Sequence, residues 1–399
     1  MGIALALAGI AFIVVKKMTK PKPKPVAYGV PGMVPGMVPG MPPGMVPGMP
    51  PGMVPGMPPG MPPGYREQPS GFNPMSAMNG FAGGGGGGGA QAASFYGAAP
   101  GSRDIGSATG YGGAPTPDYN TVLGALNHCI QEQRIGYFYQ DPRAVDAIAQ
   151  RIVANGSIGE ISQEWRLTPD VAVDLCKLAL FDIVVLCDDS AAMRGEQGGE
   201  RINDLRATLS KVAYAATLFD DDGIEVRFLN APFEGNRINS DEAAVQLLDR
   251  VIYDGPCALG SALDSKVLQP LVLGPARARA LHKPKLIIVI TGGTAAMYSE
   301  PPNTLNMVIS RAAQELSQSV GADAMSFQFC QVGNDLQAAQ WLNHLDADPS
   351  IGGLMDQTGD YDLERDEMMR KTGQQLTPVM WLLKMMLGGI DNSYDSKDE

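Results

Sequence analysis

The sequence predicts an α/β protein: a doubly wound, mostly parallel sheet flanked by helices, preceded by a small helical segment and a disordered Pro/Gly/Met-rich tether. Three observations carry this. Two runs, "DIVVLC" (182–187) and "KLIIVITGG" (285–293), are apolar without alternation, as strands buried on both faces are. Segments of strand and helix character alternate over roughly the last 200 residues, which implies βαβ units. Glycine and proline, 49 and 32 among 399 residues, crowd before residue 116, so the remainder alone has an ordinary core-forming composition.

Taken in order, residues 1–18 read as an N-terminal anchor. Gly2 to Val15 is a run of fourteen uncharged residues, followed by Lys16, Lys17, Lys20, Lys22 and Lys24. As a helix it would span about 21 Å against a hydrocarbon core of roughly 30 Å, with lysines snorkelling to close the gap. The charge follows the apolar run, which argues against a cleaved signal peptide, and Ala6 stands where a myristoylation pattern needs Ser or Thr. The expectation is a single-pass membrane anchor through residues 2–15, with the folded domain facing the cytosol by the positive-inside rule. The alternative is a secreted or cell-surface chain, for which the sequon Asn155-Gly156-Ser157 is a weak pointer.

Residues 19–116 read as a linker. The unit Pro-Gly-Met recurs eight times between Pro31 and Met61 with period four, and seven glycines follow at Gly83–Gly89. Each Pro-Gly pair suits the centre of a type II turn, and a period of four cannot place glycine at the axis of a collagen triple helix. Nothing gathers the thioethers around a point, so the repeat reads as a spacer with a reach of roughly 55 Å rather than a copper site.

Charge changes with composition. Residues 1–116 carry seven Lys/Arg against two Asp/Glu, and the rest carries 23 against 40. So acidic a body repels phosphate backbones, which excludes nucleic acid as a partner. Cys129, Cys176, Cys187, Cys257 and Cys330 are odd in number and widely spaced, which fits reduced thiols better than a disulfide framework.

Residues 117–180 carry helical patterns. "YNTVLGALNHCIQEQ" has apolar residues at helical spacing, "DPRAVDAIAQRIVANG" opens on proline and closes on glycine, and Thr168-Pro169-Asp170 is a helix start. His128 and Cys129 are neighbours that point to different faces, so they do not form a nucleophile and base. From residue 181 to 399 strands and helices alternate. "DIVVLC", "GIEVRFLN", "KLIIVITGG" and "AMSFQFCQVG" read as strands. "RINDLRATLSKVAYAATLF", "SDEAAVQLLDRVIYD", "TLNMVISRAAQELSQSV" and "LTPVMWLLKMMLGGI" read as helices. In such sheets ligands sit beyond the carboxyl ends of the strands, where "CDDSAAM" and "TGGTAAM" both lie.

The order "DIVVLCDDSAAM", "GPCALGSAL", "KLIIVITGG" resembles the von Willebrand factor A family. It most resembles a fungal branch whose A domain follows a short helical segment. The resemblance runs from about Asp118 to Glu399 and takes in "LQPLVLGPARA", "SFQFCQVGNDL" and "IDNSYDSKDE". It implies a Rossmann-like domain over 181–399 and a metal-ion-dependent adhesion site. That site takes Asp-x-Ser-x-Ser after the first strand, a Thr from a later loop and an Asp after the fourth strand. Carried over, the first positions are Asp188 and Ser190, but the others are Ala192, Cys257 and Gly292. Mg²⁺ wants hard oxygen ligands, and each loss weakens binding by about 10–100-fold.

The resemblance therefore implies a degenerate, metal-free site and no cofactor, with weak Mg²⁺ or Mn²⁺ binding by Asp188 and Ser190 as the alternative. The function expected is a non-catalytic, membrane-tethered module that binds an as yet unidentified protein through its upper loops. The residues expected on that face are Asp189, Ala191, Ala192, Met193, Cys257, Gly292 and Thr294. The alternative is a divalent-metal-dependent adhesin. Catalysis is not expected: His128, His282 and His344 lack ligand spacing, and "TGGT" lacks the lysine of a phosphate loop.

Overall fold

A computed structural model of the chain describes residues 117–195, 197–293, 299–301 and 303–395. The segments read as anchor and linker, 1–18 and 19–116, lie outside the described residues.

The helical segment forms as its capping residues dictate. α1 (Tyr119–Glu132) is capped by Asp118, whose carboxylate accepts from Thr121 N at 2.8 Å. α2 (Pro142–Asn155) starts on Asp141, which accepts from Arg143 N at 3.0 Å, and has proline in its first turn. Gly156 then takes φ 69°, the left-handed turn that ends α2 and starts α3 (Ser157–Trp165). The sequon hydroxyl of Ser157 is buried and donates to Leu218 O at 2.6 Å. At α4 (Pro169–Asp174) the Thr168 side chain makes no capping bond. Its carbonyl alone receives Val171 N and Ala172 N, with Pro169 setting the turn. A 3₁₀ turn, Leu175–Leu180, follows and is wholly buried.

Six strands then form one sheet in the order β3-β2-β1-β4-β5-β6. They are β1 (Asp182–Cys187), β2 (Ile224–Phe228), β3 (Gly235–Ile238), β4 (Lys285–Thr291), β5 (Met325–Gln331) and β6 (Met355–Thr358). All neighbours pair parallel except β2 and β3, which are antiparallel. The α/β class and the mostly parallel sheet are thus as the sequence predicts. β3 and β6 are additions that their four-residue, largely polar sequences did not announce. The chain runs outward one way through β1, β2 and β3 and the other way through β4, β5 and β6, so the switch point falls between β1 and β4.

Helices close both faces because the central strands have no polar side to leave in water. Ile183, Val185 and Cys187 of β1, with Leu286, Ile288 and Ile290 of β4, pack into one core with α1 to α4, α5 (Glu200–Phe219), α6 (Asp241–Leu248) and α10 (Pro378–Leu387). Val184, Leu186, Ile287 and Val289 point the other way. They meet the wide helix Leu263–Leu273, α7 (Thr304–Ser317) and α8 (Leu336–Asp346). Each such side chain contributes about 1.5–3 kcal/mol on burial. The wide helix holds Pro270, which cannot donate to the helical ladder. The helical segment and the C-terminus therefore share a face of the sheet.

A buried ion cluster ties these two together. Lys177 Nζ lies 2.7 Å from Asp174 and in close contact with Asp391, and Tyr394 Oη donates to Asp174 Oδ2 at 2.9 Å. Burial works against the Lys177 charge, but Asp391 and Asp174 outweigh it and hold the ammonium well above its ordinary range.

The membrane placement needs correction. Among the described residues no helix is long and apolar enough to cross a membrane. The longest labelled helix, α5 with 20 residues, carries Glu200, Arg201, Asp204, Arg206 and Lys211. The anchor rested on residues 2–15 alone, outside the described residues, and as a helix that run would be some 9 Å short of a roughly 30 Å core. The single-pass anchor and the cytosol-facing topology are withdrawn.

Replacing Lys177 with Met should lower the unfolding free energy by about 3–5 kcal/mol, because Asp391 and Asp174 are left buried without their cation. Denaturant unfolding at neutral pH measures this, and a change below about 1 kcal/mol would remove the cluster's structural role.

Candidate functional site

The site lies at the switch point, where the parallel register sets Cys187 opposite Ile290 and Asp188 N bonds to Ile290 O at 2.9 Å. That register delivers Asp188 to the end of β4. Asp188 is 1 % exposed, and both carboxylate oxygens accept hydrogen bonds. Oδ1 accepts from Ser190 N at 2.9 Å. Oδ2 accepts from Thr291 Oγ1 at 2.8 Å, from Cys257 Sγ at 3.3 Å and from Gly292 N at 3.3 Å. Thr291 Oγ1 in turn accepts from Gly293 N at 2.9 Å. Burial, and then the Asp188 charge, push the Cys257 thiol far up, so it stays protonated and donates.

Asp189 turns away from this node. Its carboxylate accepts from Asn230 N at 2.8 Å, Asn230 Nδ2 at 3.2 Å and Ala231 N at 2.7 Å, which fastens the loop after β2. Burial raises its pKa, and these N–H groups oppose the rise. Lys266 Nζ holds the same loop through Phe228 O at 2.8 Å and Ala231 O at 2.9 Å. Further backbone bonds, Ala191 N to Gly255 O at 3.0 Å and Asp254 N to Asp189 O at 2.9 Å, knit the loop after β1 to the 249–258 loop.

Exposure is where sequence expectation and structure differ. Of the residues expected on an open contact face, Asp189, Met193, Cys257 and Gly292 are buried, and Ala191 and Ala192 are half-buried. Met193 is drawn inward by the space beside Gly292, where a Cβ would lie 3.3 Å from its Sδ. Thr294 lies outside the described residues. The exposed apolar side chains of this edge are others: Ile252 at 78 %, Leu336 at 64 % and Met307 at 58 %. Ile252 is two residues from the Asp254–Asp189 bond, Met307 is in the first turn of α7, and Leu336 opens α8.

The Asp188 loop does not fit Mg²⁺. Four donors of the chain already bond to the carboxylate, three at Oδ2 and one at Oδ1. Cys257 supplies a proton where a hard oxygen ligand is needed. Ser190 Oγ, buried and without a hydrogen bond among the described residues, is the remaining oxygen of the set. Elsewhere among the described residues, Asp182, Asp220 and Asp222 converge at the opposite end of the sheet. Lys285 lies 2.5 Å from Asp182, and Lys283 lies 2.9 Å from Asp220 and 3.5 Å from Asp182, so two of the three acids are already paired with lysine.

Sequence reasoning missed three contributors. Thr291 ends an otherwise apolar strand, and that lone hydroxyl was the available signal. Arg201 lies beside Gly292, and no sequence signal joins them. Asp204, on α5, faces Asp360 and Asp362 at the start of α9 (Tyr361–Thr372), beyond the end of β6. Burial pushes the Asp204 carboxyl up to about 7, with Asp360, Glu200 and Asp362 adding repulsion.

No family model matches the chain, and no curated protein matches it. Fold and site thus define it as a doubly wound α/β protein with a closed, hydrogen-bonded switch-point loop.

Two outcomes are expected. Asp188→Ala should lower stability by about 3 kcal/mol in denaturant unfolding, since it strands buried donors. An apo metal site would instead gain stability on losing an acid, so the sign discriminates. Asp204 binds its proton more tightly when folded than its ordinary value near 3.8 allows. Between about 4 and 7 the folded state keeps a proton that the unfolded chain has lost, so this group's effect is a fall in stability as pH rises through that window. Asp204→Asn should flatten the fall and raise the midpoint of thermal unfolding at pH about 8.

Proposed function

We propose that the chain is a non-catalytic protein-interaction module of the von Willebrand factor A type, working without a metal ion. The supporting features are the Asp188-x-Ser190 loop after β1, its meeting with the end of β4, and the helical segment packed on one face of the sheet. The observation that carries the reading is the closure of the Asp188 carboxylate by Cys257, Thr291, Gly292 and Ser190. A partner that docks at this edge meets protein surface rather than an ion. The exposed apolar side chains near this edge are Ile252, in the loop bonded to Asp189, Met307, in the first turn of α7, and Leu336, which opens α8. Such anchors bind through burial, and partner binding of this kind is indifferent to chelators.

The test uses the full chain as bait, with and without chelator, against an Ile252→Asp, Met307→Asp, Leu336→Asp variant. Crosslinked partner recovery should fall at least about tenfold in the variant and stay unchanged in chelator, each lost anchor being worth about 1–2 kcal/mol. Recovery that collapses in chelator, or is equal for the variant, would overturn the reading.

A further inference from the structure

Cys257 is 1 % exposed although its own loop lies open: Asp254, Gly255 and Pro256 before it are exposed, and Ala258 after it is half-buried. Other segments therefore supply its cover, and the strap 299–301, which follows β4 in the chain, is one of them. Ser299 Oγ accepts from Cys257 N at 3.1 Å. The next residue fastens the strap. Glu300 Oε1 accepts from Gly260 N at 2.6 Å, and Oε2 accepts from Ser261 N at 2.9 Å and Ser261 Oγ at 2.8 Å. One carboxylate thus takes three donors from the turn Leu259–Ala262, which leads into the wide helix. Hydrogen bonds to an ionised acceptor are roughly twice as strong as neutral ones. The strap is held at its far end too, since Thr304 N and Thr304 Oγ1 both donate to Pro301 O, at 3.2 and 2.7 Å. The fit is close as well: a Cβ at Gly260 would lie 2.7 Å from Leu305 N and 2.9 Å from Leu305 Cα, backbone atoms with no rotamer to yield.

We infer that residues 299–301 form a latch that seals the Asp188–Cys257 pair, with Glu300 as its catch. The fastening is polar and near solvent: Glu300 is half-buried and Ser261 exposed, whereas Cys257, Asp188 and Thr291 are buried. Water can replace hydrogen bonds at the surface at modest net cost, but it reaches the pair only when the catch lets go. Opening changes two things. Cys257 N loses Ser299 Oγ, and the thiol, which burial and the Asp188 charge keep protonated, meets solvent and returns toward its ordinary range. The first turn of α7 also loses its seat against Gly260, and that turn carries the exposed Met307. One carboxylate therefore sets both the cover of the switch point and the placement of an exposed apolar side chain. Glu300 is a positioning residue. The latch goes beyond the interaction reading and is tested without a partner.

The test is alkylation of the full chain by iodoacetamide at neutral pH without denaturant, read cysteine by cysteine by mass spectrometry of the digested protein. All five cysteines are free and buried, so Cys129, Cys176 and Cys330 report loosening of the molecule as a whole. Glu300→Ala removes the catch, Gly260→Ala drives a wedge under it, and Ser261→Ala takes away the hydroxyl donor alone. Thermal unfolding checks that each form is native. In the natural chain Cys257 should react as slowly as the reporter cysteines. E300A and G260A should each speed Cys257 at least about tenfold, and S261A about threefold, with the reporters unchanged. Where E300A does not fold, the S261A comparison decides. Reporters that speed up together with Cys257 overturn the latch, because the effect is then a general loss of stability. A folded E300A whose Cys257 stays as slow as in the natural chain overturns the role of Glu300. A natural chain whose Cys257 reacts at once, as an exposed thiol does, overturns the seal itself.

Discussion

The central strands β1 and β4 have no face that tolerates water, and the rest of the molecule answers that constraint. From Ile183 to Cys187 and from Leu286 to Thr291 every residue is buried, with alternate side chains entering two separate cores. One layer of helices could cover only one of them. The region beyond β4 and the π-type helix before it supply one cover, and α5, α6, the helical segment and α10 supply the other. The helices before β1 are thus part of the same fold as the sheet. Their attachment is polar as well as apolar, since Lys177 reaches across to Asp391 near the chain's end. A buried pair of this kind adds little over a well-packed apolar substitute, but it fixes one arrangement, because either partner alone is costly.

The same constraint shapes the switch point. A carboxylate delivered to the end of two buried strands is far from water and needs compensation from somewhere. In a metal site the ion provides it. Here Asp188 takes a hydroxyl, a thiol and two backbone N–H groups, all supplied by its own chain. The thiol's high pKa is what makes this workable. A thiolate beside the carboxylate would repel it, whereas a protonated Cys257 donates. Nearby, Asp189 uses backbone N–H groups in the same way, so two adjacent acids are each satisfied by different loops. The result is a loop tied from inside, with both of its carboxylates bonded to the chain and Ile252, Met307 and Leu336 exposed near it.

Asp204 shows the opposite case. It faces other acids rather than donors, and repulsion adds to burial. Its neighbour Asp360 is also raised by burial, although it caps α9 through Asp362 N at 3.0 Å. The two acids join α5 to the start of α9 most comfortably when one of them holds a proton. This edge of the sheet therefore contains one carboxylate bonded to donors of its own chain and another that burial and neighbouring acids leave responsive to pH.

The sequence by itself determined the α/β class, strands β1, β2, β4 and β5, and most helices, because these are written in local periodicity and in helix-start prolines such as Pro142 and Pro169. It also marked the Asp188 loop as a place of interest, through two acids directly after an apolar strand. The tertiary structure alone decided what that loop became. β3 and β6 are four residues each, too short and too polar to carry a period, and pairing with their neighbours makes them strands. Thr291 reaches Asp188 across 103 positions of sequence through register, and Cys257 across 69 through a loop. Arg201 meets Gly292 only because α5 crosses above the strand ends. Burial followed the same rule: Met193 and Gly292 looked like surface in the sequence, and packing made them interior. Local pattern sets which residues form an element, but which side chains an acid finds at its end depends on neighbours brought from far along the chain.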